Sequence, residues 1–382
     1  MSGKPDRACD NPRYSRVSAG SPDRRIVWAG IVALVGAFAV APVLLSHDVY
    51  SYVDYARLAV VHGLDPYIYP PAAAPFDPAY ARVTWIDATS AYGPLFTLAT
   101  YPLAWLPVDA AVAALKATAA FSVLGIAVIV ARAAPARGVS PVAAAAFVAL
   151  NPLVLIHVVG GAHNDGLAML AVAVGIAAML SAREASAGAA FAVAFAIKAP
   201  AALAAPFALA AAARSRHSPP QRWVNVGSAA SARLPLGTGA TVRLLAGGVV
   251  AAIAIGLASY AAFGWSWLEA LGLAGESQDR TSHMSVPITF ARLTGLDPTA
   301  VRAAALALFA TSFVYLLLRT WRGMDWLRAA AWASFALLLA TAWLLPWYLI
   351  WALPLVALSR DRPLQLLTLA LTAYQLPARM PL

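Results

Sequence analysis

The stretch IVWAGIVALVGAFAVAPVLL, residues 26–45, is apolar from end to end and contains no charged side chain. At about 1.5 Å per residue, a helix of this length covers a hydrocarbon core of about 30 Å. Arg24 and Arg25 precede the stretch, and no small-x-small cleavage site lies before Ser46. We therefore predict an uncleaved signal anchor that forms the first transmembrane helix and leaves the N-terminus in the cytoplasm.

Apolar segments of similar character recur along the whole chain. Hydrophobic residues make up 61% of the 382 residues and charged residues only 12%, against about 45–50% and about 25% in soluble domains. The sequence predicts an all-α polytopic membrane protein with about eleven transmembrane helices in one domain, residues 26–382, behind a disordered cytoplasmic tail, residues 1–25. The predicted spans are residues 26–45, 109–131, 141–158, 166–181, 187–197, 200–213, 243–263, 300–318, 329–345, 347–358 and 363–377.

A long loop, residues 46–108, follows the first span. It is rich in aspartate and poor in lysine and arginine, which places it outside the membrane by the positive-inside rule. Residues 48–62 have helical apolar spacing that ends at Gly63, which predicts an amphipathic helix near the membrane surface. Residues 93–107 are too short to cross, so we predict a juxtamembrane or re-entrant helix there. A second outer loop covers residues 264–298, and residues 214–242 form a cytoplasmic linker.

The formal charge of +10 follows from the same topology, because most lysines and arginines fall in the predicted cytoplasmic segments. We therefore do not expect a nucleic-acid partner. Cys9 is the single cysteine, which excludes an intramolecular disulfide. Gly-rich phosphate loops and His or Cys pairs at metal spacing are missing from the sequence. We expect neither a cofactor nor a metal.

Three polar features are predicted to meet at the outer face. They are Asp48 after the first span, the run His163, Asn164 and Asp165 after the third, and Lys198 beside a proline between two half-length segments. A partly desolvated carboxylate suits a general base, and a lysine at an interrupted helix suits an anion. Simpler alternatives stay open: Asp48 as a helix N-cap, the polar run as a capping turn, and Lys198 as a snorkelling lysine.

Two further features have open alternatives. Arg280 in the second outer loop could hold a phosphate or be an ordinary solvated side chain. The aromatic residues between Trp343 and Trp351 are typical of an interfacial belt, and stacking on a sugar or a prenyl chain is the alternative.

The order of these motifs resembles that of the GT-C superfamily, specifically the actinobacterial polyprenol-phosphate-mannose-dependent α-1,6-mannosyltransferases that build lipomannan and lipoarabinomannan cores. The resemblance extends over most of the chain from Ile26 onward. It rests on DVYSY at 48–52, GLDPY at 63–67, SAYGPL at 90–95, NP at 151–152, HND at 163–165, KAP at 198–200 and PWY at 346–348.

The resemblance implies a GT-C-type bundle with periplasmic juxtamembrane helices in the first outer loop, in the plasma membrane, with its active site on the outer face. It implies a polyprenyl-phosphate sugar donor, with mannose as the sugar, a glycolipid or lipoglycan acceptor, and contacts with membrane lipids. Asp48 would be the general base of an inverting transfer, and Lys198 and Arg280 would hold the donor phosphate. The implied substrate-binding residues are Tyr50, Tyr52, Trp85, Tyr92, His163, Asn164 and Asp165.

Two other functions remain possible from the sequence. A transporter or flippase for lipid-linked sugars can also use half-length helices with an embedded lysine, and it would be expected to show inverted repeats. A non-catalytic protein of cell-envelope assembly would use the outer aspartate and histidine only as helix caps, and substitution of Asp48 would then leave activity unchanged.

Overall fold

The computed structural model describes residues 24–214, 238–270, 272 and 280–377. Within these residues every regular element is helical, as the sequence predicts. Residues 1–23 of the predicted tail and most of the predicted linker, together with residue 271 and residues 273–279 of the predicted second outer loop, lie outside the described residues. The α-helices are α1 Arg24–Val40, α2 Asp48–Val60, α3 Pro94–Thr100, α4 Val108–Ala133, α5 Pro141–Ala149, α6 Asp165–Leu180, α7 Glu184–Ile197, α8 Ala205–Arg214, α9 Thr238–Phe263, α10 Val286–Thr294, α11 Pro298–Trp321, α12 Trp326–Ala340, α13 Leu353–Leu358 and α14 Arg362–Gln375.

Three of the described helices, α4, α9 and α11, are long and apolar enough to cross a membrane. The first predicted span becomes a helix of 17 residues. The predicted span 141–158 is divided into α5 and a π-helical segment, Val154–Val159. The helices support a membrane protein, and the number of eleven spans stays a prediction.

Residues 46–108, the predicted first outer loop, contain the short helices that the sequence predicts, and their position outside the membrane stays a prediction. Helix α2 ends at Val60, and Gly63 follows with φ of +66°, a backbone conformation that favours glycine. Residues 93–107 form α3 and a 3₁₀ segment, Tyr101–Trp105, so this stretch is too short to span. Most side chains of α2, polar ones included, are buried inside the protein. Helix α2 therefore packs against the rest of the protein, and its position at the membrane surface stays a prediction.

The chain is also interrupted where the sequence predicts it, at Lys198. Helix α7 ends at Ile197, and Lys198 has extended backbone angles. A 3₁₀ segment, Ala199–Ala204, then leads into α8. The backbone N–H of Gly93 donates to the carbonyl oxygen of Ile197 at 3.2 Å, which joins the first outer loop to this interruption.

Helices α7 and α9 pack very closely through glycines. A Cβ atom added to Gly188 would lie 1.9 Å from the carbonyl oxygen of Leu244, and one added to Gly247 would lie 1.9 Å from that of Ala185. Only a residue without a side chain allows this approach. The helix pair forms one wall of the cavity described next.

Candidate active site

A cavity of about 1210 Å³ lies between the first outer loop and the helices around Lys198. This volume is above the range of about 300–1,000 Å³ common for small-molecule sites. The side chains of Asp48, Trp85, Lys198 and Arg280 line it, and its remaining wall is largely apolar, with residues of α7, α8 and α9 forming a large part of it. Tyr92, which the sequence analysis also predicts as a site residue, lines the same cavity.

Asp48 is the first residue of α2 and is 9% exposed. Its Oδ1 accepts a hydrogen bond from Nε1 of Trp85 at 3.1 Å. The N-cap position belongs to His47, and Asp48 does not cap the helix, so that alternative is wrong. Burial raises the pKa of the Asp48 carboxyl, while the hydrogen bond from Trp85 and the charge of Lys198 oppose the rise. A carboxyl in this environment suits proton transfer.

His163 lies behind Asp48. Its Nδ1 is 3.8 Å from Oδ2 of Asp48, beyond hydrogen-bond distance, and its ring stacks on Trp347 with centroids 3.7 Å apart. The residue is 1% exposed, and it does not line the cavity. Burial first, and the charge of Lys198 second, hold the pKa of His163 well below its ordinary value, so the imidazole is neutral.

Lys198 is held by the carboxylate of Asp165. Its Nζ lies 2.7 Å from Oδ2 of Asp165 and 3.5 Å from Oδ1 of Asn164. The other oxygen of Asp165 accepts from Nε1 of Trp351 at 2.6 Å. Asp165 is completely buried and, like Asn164, lies outside the cavity lining. Asn164 occupies the N-cap position of α6, but its side chain makes no capping hydrogen bond.

The structure separates the two predicted tyrosines of α2 from the cavity lining. Tyr52 is 1% exposed and packs edge-on against Tyr92 and Phe96. The guanidinium carbon of Arg82 lies 5.5 Å from the centroid of the Tyr50 ring. Of the aromatic residues predicted to bind substrate, the structure brings Trp85 and Tyr92 to the cavity.

The expected aromatic belt is wrong for the centre of its segment. Trp347 and Trp351 are 2% and 6% exposed, and both line the cavity. Tyr348 stacks on Trp351 with centroids 4.1 Å apart, and Nζ of Lys198 lies 5.3 Å from the Tyr348 ring. A belt must face lipid headgroups, whereas these rings lie around Lys198, where the helix is interrupted.

Arg280 is exposed at the mouth of the cavity. Its guanidinium carbon lies 5.0 Å from the ring centroid of Trp85, in cation–π range. Ser282, two residues later, donates from its backbone N–H to Ala342 and from its hydroxyl to Leu344. These bonds fix the described end of the second outer loop beside Trp343.

Lys116 is a residue that the sequence analysis misses. It is 4% exposed on α4, and its ammonium donates to the carbonyl oxygens of Ala41, Pro42 and Gly160. It therefore joins the segments that lead into Asp48 and into His163. The signal was present, because a lysine within a transmembrane helix is a candidate functional residue.

Two family models of known proteins match parts of this chain. A family model described as "Alpha-(1->6)-mannopyranosyltransferase, N-terminal domain" matches residues 12–214, and one described as "MptB C-terminal domain" matches residues 289–377. No solved structure matches the chain.

Two curated relatives are both called Alpha-(1->6)-mannopyranosyltransferase A. The Corynebacterium glutamicum protein is 33% identical over 189 residues, which is 48% of this chain and 37% of the relative. The Mycobacterium tuberculosis protein is 29% identical over 368 residues, which is 90% of this chain and 67% of the relative. The chain thus spans little more than a third of the first relative and about two thirds of the second.

The first family model covers more than half of the chain. Its matched residues include Asp48, Trp85, the run from His163 to Asp165, and Lys198. The resemblance seen in the motifs is confirmed: the chain belongs to the alpha-(1->6)-mannopyranosyltransferase family.

Proposed function

We propose that this protein transfers a mannosyl residue from a polyprenyl-phosphate donor to a hydroxyl group of a glycolipid or lipoglycan acceptor, with inversion, at the outer face of the plasma membrane. One observation carries the proposal: a buried carboxylate, Asp48, and an ammonium group, Lys198, line a single cavity whose remaining wall is largely apolar. The relatives' names supply the sugar and the linkage.

Asp48 is the general base. Its carboxylate takes the proton from the acceptor hydroxyl as the acceptor oxygen forms a bond to the anomeric carbon. The bond from that carbon to the phosphate oxygen breaks, and its electron pair stays on the phosphate. Attack from the opposite face converts a β-linked donor into an α-linked product.

Lys198 and Arg280 stabilise the leaving group. The phosphate gains one negative charge when the sugar departs, and cations placed where that charge develops lower the barrier. Both residues line the cavity with Asp48. The ammonium of Lys198 is fixed by Asp165, so little reorganisation is needed when the phosphate binds.

The apolar wall suits the prenyl chain. Phe191, Phe195, Leu245 and Val249 of α7 and α9 are among its lining residues. Burial of hydrocarbon against such a surface is favourable by about 0.8 kcal/mol per CH₂ group. A water-soluble nucleotide sugar would gain nothing from this part of the cavity.

The direct test is transfer of labelled mannose in membranes that contain the protein and an α-1,6-mannan glycolipid. We expect label to move from polyprenyl-phosphate mannose to the acceptor, and no label to move from GDP-mannose. Transfer from GDP-mannose alone would contradict the donor. Movement of the lipid donor across the bilayer without transfer would favour the flippase alternative.

A paired substitution tests the prenyl site. Gly256 lines the cavity, and a Cβ atom at either Gly256 or Gly36 meets nothing within 4 Å. Gly256→Phe should raise the KM for the polyprenyl donor at least tenfold, and Gly36→Phe on α1 should not. Equal KM values for the polyprenyl donor in the two variants would show that the prenyl chain does not bind along this wall.

A further inference from the structure

Trp85 is attached to the proposed base by its N–H group. The indole Nε1 lies 3.1 Å from Oδ1 of Asp48, although 37 positions separate the two residues in sequence. Ser46 Oγ accepts from the backbone N–H of Asp48, and the Ser46 side chain opposes the rise in the pKa of the Asp48 carboxyl less than Trp85 does.

The segment around Trp85 is fixed by the first outer loop. The backbone N–H of Ala72 donates to Ile86, and that of Ala88 donates to the carbonyl of Trp85. The hydroxyl of Tyr55, from α2, donates to the carbonyl of Ala88 at 2.7 Å. Trp85 is thus tied back to the helix that carries Asp48.

One face of the Trp85 ring is already covered. The guanidinium of Arg280 lies over it at 5.0 Å from the centroid. The edge of the ring donates to Asp48 and this face contacts a cation, so the indole has partners that a sugar-stacking platform does not need.

We propose that Trp85 is a positioning residue that holds the Asp48 carboxylate ionised and aimed into the cavity, and is not the stacking surface for sugar that its residue type indicates. The inference rests on the proposed role of Asp48 as the base. It adds the residue that sets the strength of that base.

The other groups around Asp48 do not replace this bond. His163 is neutral and stands 3.8 Å from Oδ2, while Lys198 is paired with Asp165. Burial raises the pKa of Asp48, and among the groups that lower it the hydrogen bond from Trp85 is the largest. The titratable and charged groups that face Asp48 are Tyr52 and Tyr55 on its own helix, Tyr92, His163, Asp165, Lys198 and Tyr348.

The test is the pH dependence of kcat/KM for the acceptor in wild type, Trp85→Phe and Trp332→Phe. Phenylalanine keeps an aromatic face and loses the N–H. Trp332 is the matched control, because its Nε1 donates to Asp361 at 2.9 Å and neither residue lines the cavity. The hydrogen bond from Trp85 favours the ionised form of Asp48. Its loss in Trp85→Phe should therefore move the acidic limb of the pH profile of kcat/KM to higher pH by about one unit. Trp332→Phe should leave the limb in place.

A replacement closer in shape covers the case in which Trp85→Phe does not fold. β-(3-Benzothienyl)alanine at position 85 puts sulfur in place of the N–H and keeps the bicyclic shape, and it should give the same shift. An unshifted limb with a raised acceptor KM would overturn the inference in favour of sugar stacking. The same shift in Trp332→Phe would overturn the inference, because the shift would then follow from loss of any buried tryptophan N–H donor and not from the bond to Asp48.

Failure of the proposed function has a different signature. If Asp48→Asn transfers mannose as fast as wild type, Asp48 is not the base, whatever the Trp85 variants do. If Asp48→Asn is inactive and the limb of Trp85→Phe is unshifted, only the role of Trp85 is lost.

Discussion

The ammonium of Lys198 lies 2.7 Å from Oδ2 of Asp165, and Asp165 is completely buried behind the cavity wall. The anion that a lysine in an apolar setting requires is therefore supplied by the protein itself. Lys198, the proposed ligand of the donor phosphate, is therefore held in place before any donor binds.

Asp165→Asn removes the negative charge that pairs with Lys198 and keeps the size and shape of the side chain. We expect the KM for the polyprenyl donor to rise about tenfold and the KM for the acceptor to stay within twofold, because Lys198 loses the partner that aims it. Steady-state kinetics with each substrate varied in turn measures this.

Asp361→Asn is the matched control for this substitution. Asp361 also accepts from a tryptophan, Trp332, and from a cation, Arg328, but away from the cavity. Both variants should lose stability, and only Asp165→Asn should change the donor KM. An equal change in the two variants would reduce Asp165 to a structural role.

Gly93→Ala tests the contact between the first outer loop and the helix interruption at Lys198. A Cβ atom at Gly93 would lie 2.1 Å from the carbonyl oxygen of Ala196. The backbone must move, and we expect a loss of about 1–3 kcal/mol in the free energy of unfolding, measured by thermal unfolding in detergent. Gly30→Ala, where a Cβ meets nothing within 4 Å, should cost nothing. Equal stabilities would show that the loop does not pack as described.

Lys116→Met tests the link between the two segments that carry Asp48 and His163. Three carbonyl oxygens lose their common donor, which should lower both stability and transfer rate, by about 1–3 kcal/mol for the unfolding free energy. Thr118→Val, an exposed neighbour on α4, is the control. If Lys116→Met retains wild-type rate and stability, the link is dispensable.

Asp54 gives a pH prediction for stability. It is 1% exposed, neither carboxyl oxygen has a hydrogen-bond partner in the described residues, and burial raises its pKa to about 7. The folded state keeps the proton that the unfolded state has lost, so stability should fall as pH rises from about 4 to about 7. Asp54→Asn should therefore stabilise the protein at pH 8, by up to about 4 kcal/mol, and less at pH 5.

The control for this prediction is Asp87→Asn, an exposed aspartate of the same loop. Thermal unfolding across pH 5–8 should superimpose for this variant and wild type. If the stability of Asp54→Asn follows wild type at every pH, Asp54 does not carry the proton.

The sequence predicts much of the fold because helix periodicity and charge are local signals. The helix after Asp48, its end near Gly63 and the break at Lys198 all appear where residue patterns place them. The number of spans does not follow, because breaks such as the one at Asn151 and Pro152 divide segments that the sequence analysis treats as single spans.

The site is only partly predictable. Of the ten site residues that the sequence analysis names, the structure places Asp48, Trp85, Tyr92, Lys198 and Arg280 in the lining of one cavity. The partners of these residues come from distant parts of the chain. Trp351 lies 186 positions from Asp165, and no local pattern in the sequence separates a tryptophan that donates to a buried aspartate from one that faces lipid.

The most direct test of the account is the rate of mannosyl transfer by Asp48→Asn at saturating polyprenyl-phosphate mannose, compared with Asp297→Asn. Asp297 caps α11 with its side chain, a role that asparagine can also fill. We predict a rate about 10²–10⁴ times lower for Asp48→Asn, the contribution of a general base, with wild-type rate for Asp297→Asn and unchanged donor binding in both. A rate for Asp48→Asn within threefold of wild type would contradict the assignment of Asp48 as the base.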